Sequence, residues 1–180
     1  MGRCARRHAW PWWVLFLVPL SGLAAQEESP YKAAKVGDWV SYTKVTQSAA
    51  GPIESTQKRT VTAKDDKSVT VTVESTVAGK KTVKPPVKIP LDEPPDYTGH
   101  RGGSTEKVGE GDEVLAVNGQ QYPCHWIQTR VTTAAGESKV RTDSKVWICK
   151  TVPLGGVVKI ESTTEGTTAT TTLSGFGAGP

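Results

Sequence analysis

Two cysteines, Cys124 and Cys149, are the residues whose spacing points most directly to covalent chemistry. Cys124 lies in a β-like run at 122–131, and Cys149 lies in another at 140–150. If these runs pair as a hairpin whose turn is centred between residues 136 and 137, the two cysteines face each other across the strands. Two cysteines in an oxidising compartment favour a disulfide, and two buried free thiols are the alternative. The pattern therefore predicts a Cys124–Cys149 disulfide if the chain is exported.

Acidic residues offer a second kind of chemistry, because two carboxylates held several ångströms apart can hydrolyse a glycosidic bond. Acids solvated in loops are the plainer interpretation, since many of these positions lie among prolines and glycines. The candidate acids are Asp92, Glu93, Asp96, Glu110, Asp112 and Glu113.

The histidines and serines add no recognisable catalytic pattern. His100 lies in a glycine-rich stretch, and His125 follows Cys124 directly. Neither histidine belongs to a pair of ligands at the short spacing that is usual in a metal site. The sequence also lacks a Gly-x-Ser-x-Gly nucleophile elbow. We therefore predict no catalytic residue, no metal site and no cofactor. The pattern favours a protein without enzymatic activity, and a carboxylate-dependent carbohydrate-active hydrolase is the alternative.

The tryptophans suggest a binding site rather than a reaction. In the same hairpin register, Trp126 faces Trp147 on the side that carries the predicted disulfide. Indole rings in this position could line an apolar groove, although tryptophans of β proteins more often belong to the core. The sequence therefore predicts ligand binding at Trp126 and Trp147, with Trp39 as a third candidate.

The first 25 residues are typical of a secretory signal peptide. Arg3, Arg6 and Arg7 precede the apolar run Ala9–Val18, and small residues lead to Ala25. An uncleaved membrane anchor is the alternative, but the apolar run is shorter than the roughly 20 residues that span a bilayer. The sequence therefore predicts cleavage near Ala25 and export to the periplasm or the extracellular space. It predicts no transmembrane span in the mature chain.

The net charge belongs to this leader and not to the body of the protein. The 180-residue chain has 22 basic and 18 acidic residues, a net charge of +4 and a pI near 9.0. The leader carries three of the basic residues and no acid, so 19 basic residues remain against 18 acidic ones. A nearly neutral body gives no electrostatic reason to expect a nucleic-acid partner. The third cysteine, Cys4, leaves with the leader.

The rest of the chain is patterned as strands and turns. Period-two alternation and β-branched runs dominate, and Asn118-Gly119 is the strongest hairpin turn signal. No segment has the apolar spacing of a helix, so we predict an all-β, antiparallel meander of eight or nine strands forming an open barrel or a sandwich. The predicted strands cover 38–45, 53–63, 68–77, 81–83, 113–117, 120–131, 140–150, 157–162 and 167–174.

A proline- and glycine-rich stretch interrupts this pattern at 84–104. Its prolines remove backbone donors, so the sequence predicts a long extended loop there. Loops of this length inside a compact domain are often functional. We interpret residues 26–180 as a single β-rich domain that carries this loop.

The C-terminal part resembles a group of uncharacterised secreted bacterial β-rich proteins. The resemblance rests on Gly119, Cys124, Val146–Cys149, Val152–Lys159 and Thr171–Gly177. More remotely, a Trp-containing strand, a Val-Pro turn and a Lys-bearing strand resemble the hairpins of lipoprotein-sorting carriers, which hold acyl chains in an unclosed β-barrel. This resemblance implies a lipid or another envelope component as partner. We therefore expect an exported, non-enzymatic binding or scaffolding protein with an apolar or amphiphilic ligand.

Overall fold

Nine strands make up the regular structure of the chain in a computed structural model, which describes residues 29–92, 103–135 and 138–179. The described residues form no helix, and therefore none that is long and apolar enough to cross a membrane. The strands are β1 (Trp39–Ser48), β2 (Gly51–Lys64), β3 (Ser68–Val77), β4 (Lys80–Pro90), β5 (Ser104–Val117), β6 (Gln120–Ala135), β7 (Ser138–Ile148), β8 (Val157–Thr164) and β9 (Thr167–Gly177).

All nine strands belong to one antiparallel sheet with the order β4-β3-β2-β1-β9-β8-β7-β6-β5. Two meanders, β1 to β4 and β5 to β9, join in the middle of the sheet, where β1 pairs with β9. The predicted all-β antiparallel class and strand number are confirmed, and the sheet stays open.

The opening lies between β4 and β5, and the strand directions explain it. Because neighbours alternate in direction along nine strands, the two edge strands run the same way, and closure would require a parallel pair. In addition, Pro85, Pro86 and Pro90 of β4 lack a backbone N–H, and prolines of this kind are confined to sheet edges. The edge position thus accommodates them in a strand that continues to Pro90, where the sequence predicted a loop from residue 84.

β5 also differs from the sequence prediction, since it begins at Ser104 and not near residue 113. Its first half contains Gly109 and Gly111, which lie before the strand predicted to begin at residue 113. In the structure they pair with Gln128 and Trp126 of β6, where a residue without a side chain leaves room for a large neighbour.

The β6–β7 hairpin has the predicted register. Trp126 lies opposite Trp147, and His125 lies opposite Ile148. The turn is tighter than the predicted span of 132–138, because pairing continues to Ala135 and Ser138. At the β5–β6 turn, Asn118 and Gly119 have φ values of 51° and 77°, as the predicted Asn-Gly turn requires.

Buried apolar side chains hold the first meander on one face of the sheet. Val40 and Tyr42 of β1 share this face with Val61 of β2 and Val71 of β3. The segment before β1 is tied to the same region, because the backbone N–H of Gly37 donates to the carbonyl of Val61 over 2.9 Å. This face of β1 and β2 is therefore the core face of the first meander.

Candidate functional site

Trp126 and Trp147 lie side by side on one face of the β6–β7 hairpin, as predicted. The Lys145 Nζ atom lies 4.2 Å from the Trp126 ring centroid and 4.4 Å from that of Trp147. The Trp147 indole N–H donates a hydrogen bond to Glu113 Oε1, and Lys145 Nζ lies 3.6 Å from the same oxygen. These four residues, Trp126, Trp147, Lys145 and Glu113, form a tryptophan–lysine cluster in which cation–π and charge contacts replace an open groove.

Trp126 and Trp39 are partly exposed, and each lies against glycines of a neighbouring strand. A side-chain carbon added at Gly111 would lie 3.0 Å from the Trp126 Nε1 atom. Trp39 lies in the same way across Gly175 and Gly177, with Lys58 Nζ 4.7 Å from its ring. Contact with glycine backbone and a lysine leaves little free ring surface for a ligand.

Trp39 does not join the other two tryptophans. It lies on β1, and two strands, β9 and β8, separate β1 from β7. The structure thus brings Trp126 and Trp147 together and places Trp39 elsewhere in the sheet. The Gly-x-Gly pattern, present in β5 and again in β9, is the sequence signal that could have indicated where Trp126 and Trp39 pack.

Cys124 and Cys149 lie at the end of the same hairpin as two buried free thiols, with 3% and 2% exposure. Cys124 Sγ lies 3.3 Å from the carbonyl oxygen of Tyr122, and Cys149 Sγ lies 3.1 Å from the hydroxyl of Thr151. Burial raises the pKa of the Cys124 thiol to about 11, and the neighbouring Cys149 adds to the shift. Cys124 is therefore a protonated thiol at neutral pH, which is unsuitable for a nucleophile.

A cavity of about 540 Å³ lies next to Cys124 and Cys149. Val114, Pro123 and Ile148 supply apolar wall, and Cys124 and Cys149 also border the cavity. Asp112 and Lys150 bring opposite charges to the same cavity. We call this space the cysteine-lined cavity. Neither Trp126 nor Trp147 lines it, although Glu113 belongs to both the cavity wall and the tryptophan–lysine cluster.

His125 lies on β6 between two of the candidate acids, which belong to the neighbouring edge strand β5. Its Nδ1 atom lies 2.9 Å from Asp112 Oδ1, and its Nε2 atom lies 3.5 Å from Glu110 Oε2. The Lys107 ammonium, with His125, holds the pKa of Glu110 below its usual range. A glycosidase acid needs a raised pKa, so this shift runs in the wrong direction for that role.

The other candidate acids do not complete a catalytic pair with Glu110. Glu113 points to the opposite face of β5, since successive residues of a strand alternate. Asp92 is exposed just after β4, while Glu93, Asp96 and His100 lie outside the described residues. Within the described ranges, no group of three or more His, Cys, Asp or Glu residues could hold a metal ion.

Comparison with known proteins gives one structural likeness. No family model matches the chain, and no curated protein gives a significant match. Among solved structures, the chain is similar to a Bacteroides fragilis protein described as exported and as having a YmcC-like fold. The identity is 10%, the alignment covers 80% of this chain and 97% of that one, and the TM-score is 0.48. A likeness at this level assigns neither a family nor a function to the chain.

Proposed function

We propose that this protein is an exported, non-catalytic binding protein that holds an apolar or amphiphilic ligand in the cysteine-lined cavity. The observation that carries the proposal is the cavity itself, whose volume of about 540 Å³ falls within the usual range of small-molecule sites. Its wall is mainly apolar, and a few polar side chains converge on it. A lipid or another amphiphilic envelope component has this chemistry.

Two features of the site favour binding over catalysis. In the reduced protein the Cys124 thiol is protonated because it is buried, and the Glu110 carboxyl is ionised because Lys107 and His125 stabilise its charge. Neither state suits a nucleophile or a general acid. Export is supported by the arginine-led apolar segment of the first 25 residues.

A neutral apolar dye, N-phenyl-1-naphthylamine, tests the cavity. Wild-type protein without its leader is expected to enhance the dye's fluorescence in a saturable way. Val114→Trp should weaken binding about tenfold, because Val114 lines the cavity and is 63% exposed, so that an indole fills the space without disturbing the core. Val83→Trp on β4 is the matched control, since Val83 is also exposed on an edge strand.

Equal dye affinity in wild type, Val114→Trp and Val83→Trp would reject the cavity as the binding site. Absence of saturable binding to the wild type would reject the proposed function as a whole. Circular dichroism melting of each variant shows that the comparison is made on folded protein.

We also propose that Cys124 and Cys149 are joined by a disulfide in the exported protein. Both thiols are buried at the end of one hairpin, close enough for Cys149 to affect the pKa of Cys124. In thiol–disulfide exchange, the Cys124–Cys149 S–S bond would form as the S–S bond of an external disulfide breaks. The two protons and two electrons lost by the cysteines would leave on the external partner as two thiols. The bridge would close a loop of about 25 residues and stabilise the fold by roughly 3 kcal/mol.

Intact-mass measurement of exported protein, prepared without reductant, is expected to show the loss of two hydrogens relative to the reduced chain. Reduction should then lower the free energy of unfolding by about 3 kcal/mol. The double variant Cys124→Ser/Cys149→Ser is the control, because reductant should leave its stability unchanged. Alkylation of both cysteines in denatured, unreduced protein would contradict the proposal.

A further inference from the structure

The core face of the first meander contains a buried hydroxyl that has no hydrogen-bond partner. Tyr42 of β1 is 3% exposed, and its hydroxyl oxygen is buried without a partner. A buried hydroxyl in this state costs free energy, so native proteins nearly always pair it. The Tyr42 hydroxyl is therefore a donor that lacks an acceptor.

An arginine without a counter-ion lies over the ring of the same tyrosine. Arg59 of β2 is half-buried on the same face, and its guanidinium carbon lies 5.7 Å from the centroid of the Tyr42 ring. Gln57 Oε1 accepts the Arg59 Nε–H over 3.1 Å. Among the residues that the structure describes, no carboxylate is ion-paired with Arg59, so the two Nη groups are left to act as donors.

The surroundings make an unpaired cation costly here. Arg59 lies directly opposite Val40 of β1 and Val73 of β3, both apolar. A positive charge held among apolar side chains is destabilised unless an anion or water solvates it. The Tyr42 ring under the guanidinium carries no charge that could pair with it, because burial raises the pKa of the phenol well above its usual range.

We infer that Arg59 and Tyr42 form an oxyanion-binding site that takes a carboxylate or phosphate group. The planar guanidinium offers two parallel N–H donors to two oxygens of such a group. The Tyr42 hydroxyl supplies a third donor from the buried side. The site is separate from the cysteine-lined cavity, and its test does not depend on that cavity.

The Tyr42 hydroxyl supports this assignment because burial raises its pKa well above the usual range for tyrosine. The group therefore keeps its proton and donates a hydrogen bond throughout the neutral range. An acceptor with negative charge satisfies it, and at the same time it neutralises Arg59.

Thermal unfolding in acetate and in inorganic phosphate, each compared with chloride at equal ionic strength, tests the site. An anion that binds the folded protein raises its melting temperature. Tyr42→Phe removes only the unpaired hydroxyl, so in chloride its melting temperature should equal or exceed that of the wild type. The anion concentration that gives half of the melting-temperature rise should nevertheless increase about tenfold in this variant.

Arg59→Met is expected to abolish the rise, whereas Lys58→Met should retain it. Lys58 is the matched control, because it is the neighbouring residue of β2, carries the same charge and points to the opposite face of the sheet. A larger rise in acetate identifies a carboxylate as the preferred group, and a larger rise in phosphate identifies a phosphate. Equal protection of the wild type and all three variants, or no protection of the wild type by either anion, would overturn the inference.

Discussion

Replacing Trp147 with alanine is expected to lower the free energy of unfolding by about 3–5 kcal/mol, the range for deletion of a buried indole. Trp147 is 4% exposed, so almost the whole ring leaves a packed environment. The substitution also removes the hydrogen bond to Glu113 and one of the two rings next to Lys145. Urea denaturation followed by circular dichroism measures the change, with the m value showing whether unfolding remains two-state.

Trp147→Phe separates packing from the hydrogen bond. Phenylalanine keeps an aromatic ring but cannot donate to Glu113, so a loss of only about 1–2 kcal/mol is expected. If Trp147→Ala cost less than about 1 kcal/mol, the indole would not be part of the core. Such a result would reopen the prediction that Trp147 is available to a ligand.

The sequence specified the β6–β7 hairpin correctly because the information is local. Alternation fixes which side chains share a face, and a register with a short turn fixes which residues stand opposite each other. Cys124, Trp126, Trp147 and Cys149 could therefore be brought together from their numbers alone. The Asn118-Gly119 turn could be predicted for the same reason, because few residue pairs adopt two successive positive φ angles.

The two edge strands were harder to predict, since their composition is explained by their position in the sheet and by the side chains of the neighbouring strand. Gly109 and Gly111 look like loop residues until Trp126 is placed across them. Pro85 and Pro86 exclude a central strand, but they are tolerated once β4 lies at an edge.

The Arg59–Tyr42 pair was missed for a related reason. The β1–β9 and β1–β2 pairings together decide that Arg59 faces the core, and β1 and β9 are separated by more than 100 residues. A lone arginine in a polar strand reads as a solvated charge, and no local pattern indicates that it lacks a partner. The orphan hydroxyl of Tyr42 is likewise visible only when its surroundings are known.

Gly156→Ala is expected to destabilise the fold by about 2–4 kcal/mol, from backbone strain and a steric clash together. Gly156 has φ +72°, and an added side-chain carbon would lie 2.9 Å from the carbonyl oxygen of Cys149 and 2.9 Å from Ile148 Cγ2. The backbone of Cys149 cannot move away easily, because it is tied to Gly156 itself: the Cys149 N–H donates a 2.7 Å hydrogen bond to the Gly156 carbonyl. The turn between β7 and β8 therefore has no room for a methyl group.

Gly166→Ala is the matched control for backbone strain alone. Gly166 has a similar φ of +80°, but no atom lies within 4 Å of an added side-chain carbon. Its substitution should cost about 1 kcal/mol, the strain of the left-handed conformation. The difference in unfolding free energy between the two variants then measures the clash at Cys149. Equal losses of stability would show that the turn between β7 and β8 has room for a methyl group.

The same pair of variants links this turn to the proposed binding site. Lys150 and Thr151 follow Cys149 in the turn and line the cysteine-lined cavity, so a displaced Cys149 carbonyl should move part of the cavity wall. Dye binding is therefore expected to weaken in Gly156→Ala at temperatures where the variant is still folded, and to stay unchanged in Gly166→Ala. Retained binding in a folded Gly156→Ala protein would place the dye elsewhere, because the cavity cannot keep its shape when the backbone beside it shifts.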